Sequence, residues 1–367
     1  MYQPAAAARS DGIVRRAFTA VDRGFGAAST ALLLAVVATI PIVQFFALGY
    51  LLYAAARFAT TGKLREGFVG VREASRVGQF VLGVWLVTLP YRLVASLHAD
   101  ALLIAPGGVA AYRLMIFRVA FAALAFWIAL SALAQGGSFV HFVRPLRATR
   151  LLYQALRQGD YLAHSLARLK TFVAGFAVGR TWWLGLRGYL GAGLWLAIPT
   201  TLIALGRKGP LALLGGVLLA WAVMHVPFLQ IHLAVTDRFR AIFELRAVRQ
   251  LFGAAPLSFC LALASTLLLA VPLYLLKIEL VPRDTLWLPA AVFVTTIFPT
   301  KLLAGWAYHR AVRRNQPAHF VWRWSARILM ALIALLYAFV VFLTQYTGWH
   351  GVLGLYEHHA FLLPVPF

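Results

Sequence analysis

A few ionisable side chains interrupt otherwise apolar stretches of this chain, and these are the residues that could do chemistry. Arg92, Arg113 and Arg118 lie at the ends of two neighbouring apolar stretches, with Asp100 between them. They could form an anion-binding or ion-paired cluster. Alternatively, their aliphatic stems could carry the guanidinium groups to lipid headgroups at the membrane surface.

A histidine and a lysine lie deeper in apolar runs. His225 is near the middle of one run, two residues before Pro227. An ionisable residue at that depth is a functional hypothesis, and the alternative is a neutral ring hydrogen-bonded to a neighbouring helix. His232 could pass protons with it, but the absence of any Asp or Glu from the cores of the apolar runs weakens a proton relay. Lys301 is expected to extend its ammonium to the end of its run.

Pro41 and Gln44 interrupt the first long apolar run, residues 30–56. Proline has no backbone N–H and disrupts a helix interior, so this run predicts a broken or re-entrant helix. Irregular backbone at membrane depth must be buried in protein or line a cavity. The two residues are therefore candidates for an intramembrane functional element.

The C-terminal segment gathers residue types that bind metals. They are His350, Glu357, His358 and His359. Their spacing matches no zinc signature, so they are weak candidates, and the aromatic residues around them instead predict an ordered cap. Phosphate loops, dinucleotide fingerprints, His-Glu zinc motifs and nucleophile elbows are absent from the sequence. We therefore expect no cofactor and do not favour an enzyme.

The composition fixes the class of fold that must position these residues. The chain is 62 % apolar with a mean hydropathy of +0.80, well above a soluble domain. A helix of about 20 apolar residues spans the hydrocarbon core of a bilayer. We predict an all-α polytopic integral membrane helical bundle with seven or eight transmembrane segments. The apolar runs are residues 30–56, 78–97, 114–134, 188–205, 211–234, 257–276, 286–309 and 328–346.

Charge alternates between the connections. The connections 57–77, 135–187, 235–256 and 310–327 hold 22 Lys and Arg, whereas the opposite set holds five. Basic connections stay in the cytoplasm, so the C-terminus, which has no Lys or Arg after Arg327, should be outside. The net charge of +23 then indicates anionic lipid headgroups as partners and not nucleic acid.

The N-terminus does not fit this alternation, because residues 1–29 are basic and so is the connection after the first run. Either the N-terminus is outside, or the first run enters and returns on one side; we favour the latter. We expect one membrane domain, residues 30–346, between a basic cytoplasmic-side segment, 1–29, and a non-cytoplasmic cap, 347–367. Residues 135–187 and 238–252 predict cytoplasmic amphipathic helices, lying on the leaflet or packed on the spans.

Four stretches carry a resemblance to known proteins. They are IPIVQFFALGYLLYAAARFATTGKLREGFVGVREASRVG at 40–78, YLAHSLARLKTFVAGF at 161–176, residues 228–252, and the ending FLTQYTGWHGVLGLYEHHAFLLPVPF. Together they resemble an uncharacterised family of bacterial multi-pass membrane proteins carrying a domain of unknown function. The resemblance implies a bacterial cytoplasmic membrane and assigns no activity and no site.

Two classes of function follow. In the first, the protein is a membrane scaffold or a partner of a membrane complex, which the basic connections and the lack of acids in the apolar runs favour. In the second, it is a transporter or channel for a small anionic solute, with Pro41 and the arginines lining a path. Helices broken at mid-membrane are where transporters bind substrate.

Overall fold

The computed structural model describes residues 7–157, 170, 177–206, 209–278, 287–314, 316–347 and 351–357. Throughout these ranges the regular structure is helical, with no β-strand. The α-helices are α1 Ala7–Ala38, α2 Gln44–Thr61, α3 Leu64–Gly67, α4 Val71–Val87, α5 Leu89–Ile104, α6 Val109–Ala134, α7 Phe139–Val143, α8 Pro145–Arg157, α9 Val178–Gly206, α10 Pro210–Thr236, α11 Leu245–Ala254, α12 Pro256–Ile278, α13 Trp287–Val312, α14 Phe320–Thr347 and α15 Gly354–Glu357. Two short 3₁₀ helices cover Phe239–Phe243 and Gly351–Leu353.

Eight helical stretches of the described chain are long and apolar enough to cross a membrane. They are Ala20–Ala38, Val71–Ile104, Val109–Ala134, Val178–Gly206, Pro210–Thr236, Pro256–Leu276, Trp287–Val312 and Phe320–Thr347. The prediction of a helical polytopic membrane bundle is confirmed. The second stretch is longer than the predicted run 78–97, because α4 and α5 follow one another with only Thr88 between them.

The first apolar run is broken where the sequence predicted it. A turn over residues 39–43 separates α1 from α2, and Ile42 adopts a left-handed backbone with φ of 70°. Inside the turn, Val43 N donates to Pro41 O at 2.8 Å. The predicted run 30–56 therefore comprises the end of α1, the turn and most of α2. The candidate span lies before the break, at Ala20–Ala38, and α2 is not apolar enough to count as one.

The predicted amphipathic connectors are partly described. α7 and α8 account for the first half of the connection 135–187, whereas most of its second half lies outside the described residues. The predicted helix over residues 238–252 is two elements. The 3₁₀ helix Phe239–Phe243 and α11 meet at Glu244, whose ψ of 61° is outside the helical range.

The chain divides into two compact units. The first comprises Met1–Thr30 and Gly70–Phe176, and the second comprises Ala31–Val69 and Ala177–Phe367. Inside the first unit, a line of polar contacts joins α1, α4 and the start of α7. Ser75 Oγ donates to Asp22 Oδ1 at 3.2 Å, Gln79 Nε2 donates to Ser75 Oγ at 3.2 Å, and Phe139 N donates to Gln79 Oε1 at 3.1 Å.

Helix α2 lies in the core of the second unit. Its Leu48, Leu51 and Leu52 are 0 % exposed. It runs in the same direction as α13, since Tyr50 lies beside Phe298 and the carbonyl of Ala59 accepts from His309 Nδ1 at 2.8 Å. A short, weakly apolar helix is thus enclosed by longer and more apolar ones.

Glycines bring the backbones of α2 and α9 into contact. A β-carbon on Gly185 would overlap the carbonyl oxygen of Phe45 and lie 2.7 Å from Gly49 N. Gly188 faces Leu52 in the same way, at 2.6 Å from its Cδ1. Small residues that permit such close approach are the usual contact of helices in lipid. Gly185 and Gly188 therefore mark the face of α9 that packs against α2.

We predict that Gly185→Ala destabilises the second unit. The added methyl group has no room against backbone, which cannot move like a flexible side chain, so we expect a loss of about 1–3 kcal/mol. Gly193→Ala on the same helix is the matched control, because nothing lies within 4 Å of its β-carbon position. Thermal unfolding in detergent measures both variants, and equal midpoints would contradict the contact.

Candidate functional site

A lysine is enclosed at the middle of the second unit. Lys301, on α13, is 1 % exposed, and its Nζ donates to Gln230 Oε1 on α10 at 2.5 Å. Gln230 is itself 0 % exposed, and its Nε2 donates to the backbone carbonyl of Gly188 on α9 at 3.1 Å. A single glutamine therefore links the lysine to a third helix.

The helices that hold this pair both contain a proline. Lys301 follows Pro299 in α13, and Gln230 follows Pro227 in α10. An internal proline removes a backbone hydrogen bond and bends a helix at that point. Helices in membranes tolerate this when neighbours satisfy the freed groups. The buried polar pair consequently lies next to the least regular backbone of its two helices.

The amine of Lys301 contacts a neutral oxygen and not an acid in the described structure. A lysine ammonium group has three hydrogen-bond donors. Among the described residues, no ion pair includes Lys301. Placing a charge away from water is costly without a partner. The predicted extension of Lys301 to the end of its run is therefore wrong. Its ammonium stays in the core, where it can hold α10 to α13 or attract an anion.

A second polar cluster lies where α10 ends. His232 Nε2 donates to Glu244 Oε2 at 2.9 Å, and His232 Nδ1 lies 2.9 Å from the Tyr308 hydroxyl. Arg238 Nη2 is 3.5 Å from the other oxygen of Glu244. The hydrogen bond with His232 lowers the pKa of the Glu244 carboxyl, and the Arg238 charge acts in the same direction. This cluster fixes the connector between α10 and α11.

Asp237 completes that end of the bundle. It caps α10 in a left-handed conformation with φ of 55°, and its carboxylate pairs with Arg180, at 3.2 Å, and with Arg187 of α9. These arginines therefore have an acidic partner within the chain.

A pocket of about 430 Å³ opens beside His225. Its polar members are His225 on α10, Arg249 on α11 and Arg327 on α14. Aromatic and aliphatic side chains form the remaining wall: Trp221, Met224, Phe228, Val248, Phe252, Phe259, Met330 and Ala331. His225 Nδ1 donates to the carbonyl of Trp221 in its own helix at 2.8 Å. The ring is thus held by α10 itself, and the predicted bond to a neighbouring helix is not the one observed.

A smaller pocket of about 320 Å³ lies beside the start of α12. Arg310 and Arg314 line it together with Trp306 and Trp322. Arg314 Nη1 donates to the carbonyl of Ala254 at 3.2 Å, and the Arg310 guanidinium lies 5.4 Å from the centre of the Trp306 ring. Arginine beside tryptophan is thus a repeated arrangement in the second unit.

The predicted arginines of the first unit are exposed. Arg92 lies 6.0 Å from the centre of the Trp85 ring, and Arg118 Nη1 lies 3.5 Å from His98 Nδ1. Within the described part of the chain, neither arginine pairs with Asp100 or with any other acid. The described structure thus shows no ion pair in this cluster, and Arg118 has a histidine as its neighbour instead of an acid.

The remaining predicted residues differ in their outcome. Pro41 is exposed in the turn before α2, and Gln44 begins α2 with a buried Oε1 that has no hydrogen-bond partner in the described structure. His350, His358 and His359 lie outside the described residues, as does the side chain of Glu357. Among the residues that are described, no three potential metal ligands come together.

Sequence reasoning missed Gln230, Arg249 and Arg327. Gln230 carries a usable signal, because an amide in an apolar run needs a partner and Lys301 is the matching group in another run. The sequence gives no such signal for the two arginines. Arg249 belongs to a connector, and Arg327 cannot be distinguished by sequence from other basic residues at the ends of spans.

Comparison with known proteins gives no match: no family model, no curated protein and no solved structure is similar to this chain. The fold itself defines the class. The chain is a multi-pass helical membrane protein whose spans enclose a lysine and form basic, aromatic pockets.

We predict that Gln230→Leu destabilises the protein more than Lys301→Met does. The first substitution leaves a buried ammonium without its acceptor, at a cost of about 1–3 kcal/mol or more. The second removes the charge altogether, and apolar replacement of a buried charge is often tolerated.

A double-mutant cycle measures the coupling. Thermal unfolding in detergent of the two single variants and of Gln230→Leu/Lys301→Met should show the double variant closer to the wild type than Gln230→Leu is. Additive losses would show that the two side chains are independent and would contradict the pairing.

Proposed function

We propose that this protein is a scaffold of a bacterial cytoplasmic membrane, or the partner of a complex in it, and not an enzyme. One observation carries the proposal. Only 6 % of the apolar window in Val71–Ile104 and 11 % of that in Val109–Ala134 is buried by the chain itself. The corresponding share is 50–56 % for α10, α12 and α13. The spans of the first unit thus bury few residues completely and leave much of their surface to lipid or to another protein.

The position of Arg118 favours a protein partner on this surface. Arg118 lies nine residues after the start of α6, which is about 13 Å along the helix axis. A charge near the centre of a span costs about 2.5–3.5 kcal/mol on insertion scales. An Asp or Glu in an apolar helix of a partner would reduce that cost. No acid in the described part of the chain forms an ion pair with Arg118.

The charge distribution supports one orientation. The basic connections face anionic headgroups in the cytoplasm, the C-terminus is outside, and α1 and α2 enter and return on one side. Two features support the return. The chain is broken at residues 39–43, and α2 then runs parallel to α13, whose C-terminal end carries His309 and Arg310. The start of α1 and the end of α2 are then both on the cytoplasmic side. Membership of the family that the sequence resembles is part of the same proposal.

The alternative, transport of a small anionic solute, has an observation of its own. Lys301 is a buried lysine between two proline-containing helices, and the pocket at His225 opens in the same unit. The scaffold is favoured because a close hydrogen bond to Gln230 already occupies the lysine, so a passing anion would have to displace it.

Photocrosslinking tests the partner role. A photoreactive amino acid at Val119, which is exposed beside Arg118, should give a protein adduct in native membranes. The adduct peptide should carry an Asp or Glu within an apolar segment. Arg118→Leu should abolish the adduct, whereas Arg113→Leu on the same helix should keep it. Leu336, exposed on α14, is the control site and should label lipid only.

A measurement of anion flux distinguishes the scaffold role from the transport alternative. Purified protein in liposomes should pass chloride or phosphate no faster than empty liposomes do. Lipid adducts alone at Val119 would overturn the partner role. Flux that Lys301→Met abolishes would instead establish transport.

Cysteine labelling checks the orientation. With Cys260→Ser as background, a membrane-impermeant maleimide added from outside should label Ala105→Cys and leave Lys63→Cys and Ala5→Cys unlabelled. Labelling of Ala5→Cys from outside would show that the first segment crosses once, in contradiction to the proposed return.

A further inference from the structure

We propose that the pocket between α10, α11, α12 and α14 binds the phosphate of an anionic phospholipid headgroup. The inference goes beyond the scaffold role and does not depend on it, because a headgroup can bind whether or not the first unit has a protein partner.

The polar side of the pocket is built from three helices. His225 comes from α10, Arg249 from α11 and Arg327 from α14, so the three converge only in the folded unit. In the described structure neither Arg249 nor Arg327 has an acidic partner. This contrasts with Arg180 and Arg187, which Asp237 neutralises. The pocket therefore keeps two positive charges that the protein itself does not balance.

Aromatic rings hold one of these arginines in place. The Arg327 guanidinium lies 5.6 Å from the centre of the Phe252 ring and 5.7 Å from that of Trp324. Attraction between the cation and the ring faces limits its orientations. The guanidinium N–H donors, which match phosphate oxygens in pairs, remain available to an anion.

The rest of the pocket identifies the anion as part of an amphiphile. Phe228, Phe259 and Met330 give the wall an apolar surface that a free inorganic ion would not use. The volume of about 430 Å³ lies within the usual range for small-molecule sites. In a phospholipid, the phosphate would contact the arginines, and the attached glycerol and acyl chain would contact the apolar wall.

The two arginines lie towards the headgroup side of the pocket, and His225 lies deeper along α10. Arg327 is the last basic residue of the chain, and the apolar run of α14 begins at Ile328. Arg249 lies on α11, a short helix that follows the polar connector. The arginines therefore mark the boundary between charged connections and apolar spans, which is where basic pockets between helices bind lipid headgroups.

Lipid binding to the purified full-length protein tests the site. Titration with phosphatidylglycerol in detergent, read by native mass spectrometry, should show binding that Arg249→Gln/Arg327→Gln weakens roughly tenfold or more, since each lost bond is charge-assisted. Arg246→Gln is the matched control: it lies on α11, is exposed and does not line the pocket. It should bind like the wild type.

Two further arms identify the ligand. Phosphatidylcholine should bind at least tenfold more weakly than phosphatidylglycerol, and inorganic phosphate at equal concentration should not displace the lipid. Ala331→Phe, which narrows the pocket but keeps both arginines, should also weaken lipid binding. Thermal unfolding without lipid checks that each variant is folded, and the single variants Arg249→Gln and Arg327→Gln replace the double variant if it is not.

Three results would overturn the proposal. Equal affinity of the double Gln variant and the Arg246→Gln control would show that the pocket does not bind the lipid. Displacement by inorganic phosphate would assign the site to the free ion. Unchanged binding in Ala331→Phe would place the lipid elsewhere.

Discussion

The contact between the backbones of α2 and α9 is the constraint on which the second unit depends. Because Gly49 and Gly185 have no side chains, the two helices meet directly, and α2 can occupy the centre of the unit. That position brings Tyr50 and Ala59 against α13 and leaves Gly188 free to accept from Gln230. The buried lysine, its glutamine and the surrounding bundle are consequences of this one close approach.

The two units use their apolar residues differently. In the second unit they cover each other and enclose polar groups that find partners within the chain, as Lys301 does with Gln230 and His232 with Glu244. In the first unit the helices bury little of themselves, and Arg118 lies at their surface beside His98, with no acidic partner among the described residues.

Local properties of the sequence predict the helices of this fold well. They do not predict which side chains of different helices come into contact. Runs of apolar residues locate seven of the eight candidate spans, and Pro41 locates the break, because composition and a missing N–H act locally. The partner of Lys301 depends on how α10 and α13 pack, which no single segment encodes. The same holds for Arg249 and Arg327, which belong to different helices and meet only across the pocket.

The central place of α2 has a consequence for biosynthesis. This helix precedes α9 and α13 in the chain, and residues Gly185 and Gly305 of those helices later enclose it. Until then its side chains lack their final neighbours. Helix α2 therefore reaches its final packing only when the downstream helices arrive. Assembly of the second unit is accordingly a late event, completed only after most of the chain has been made.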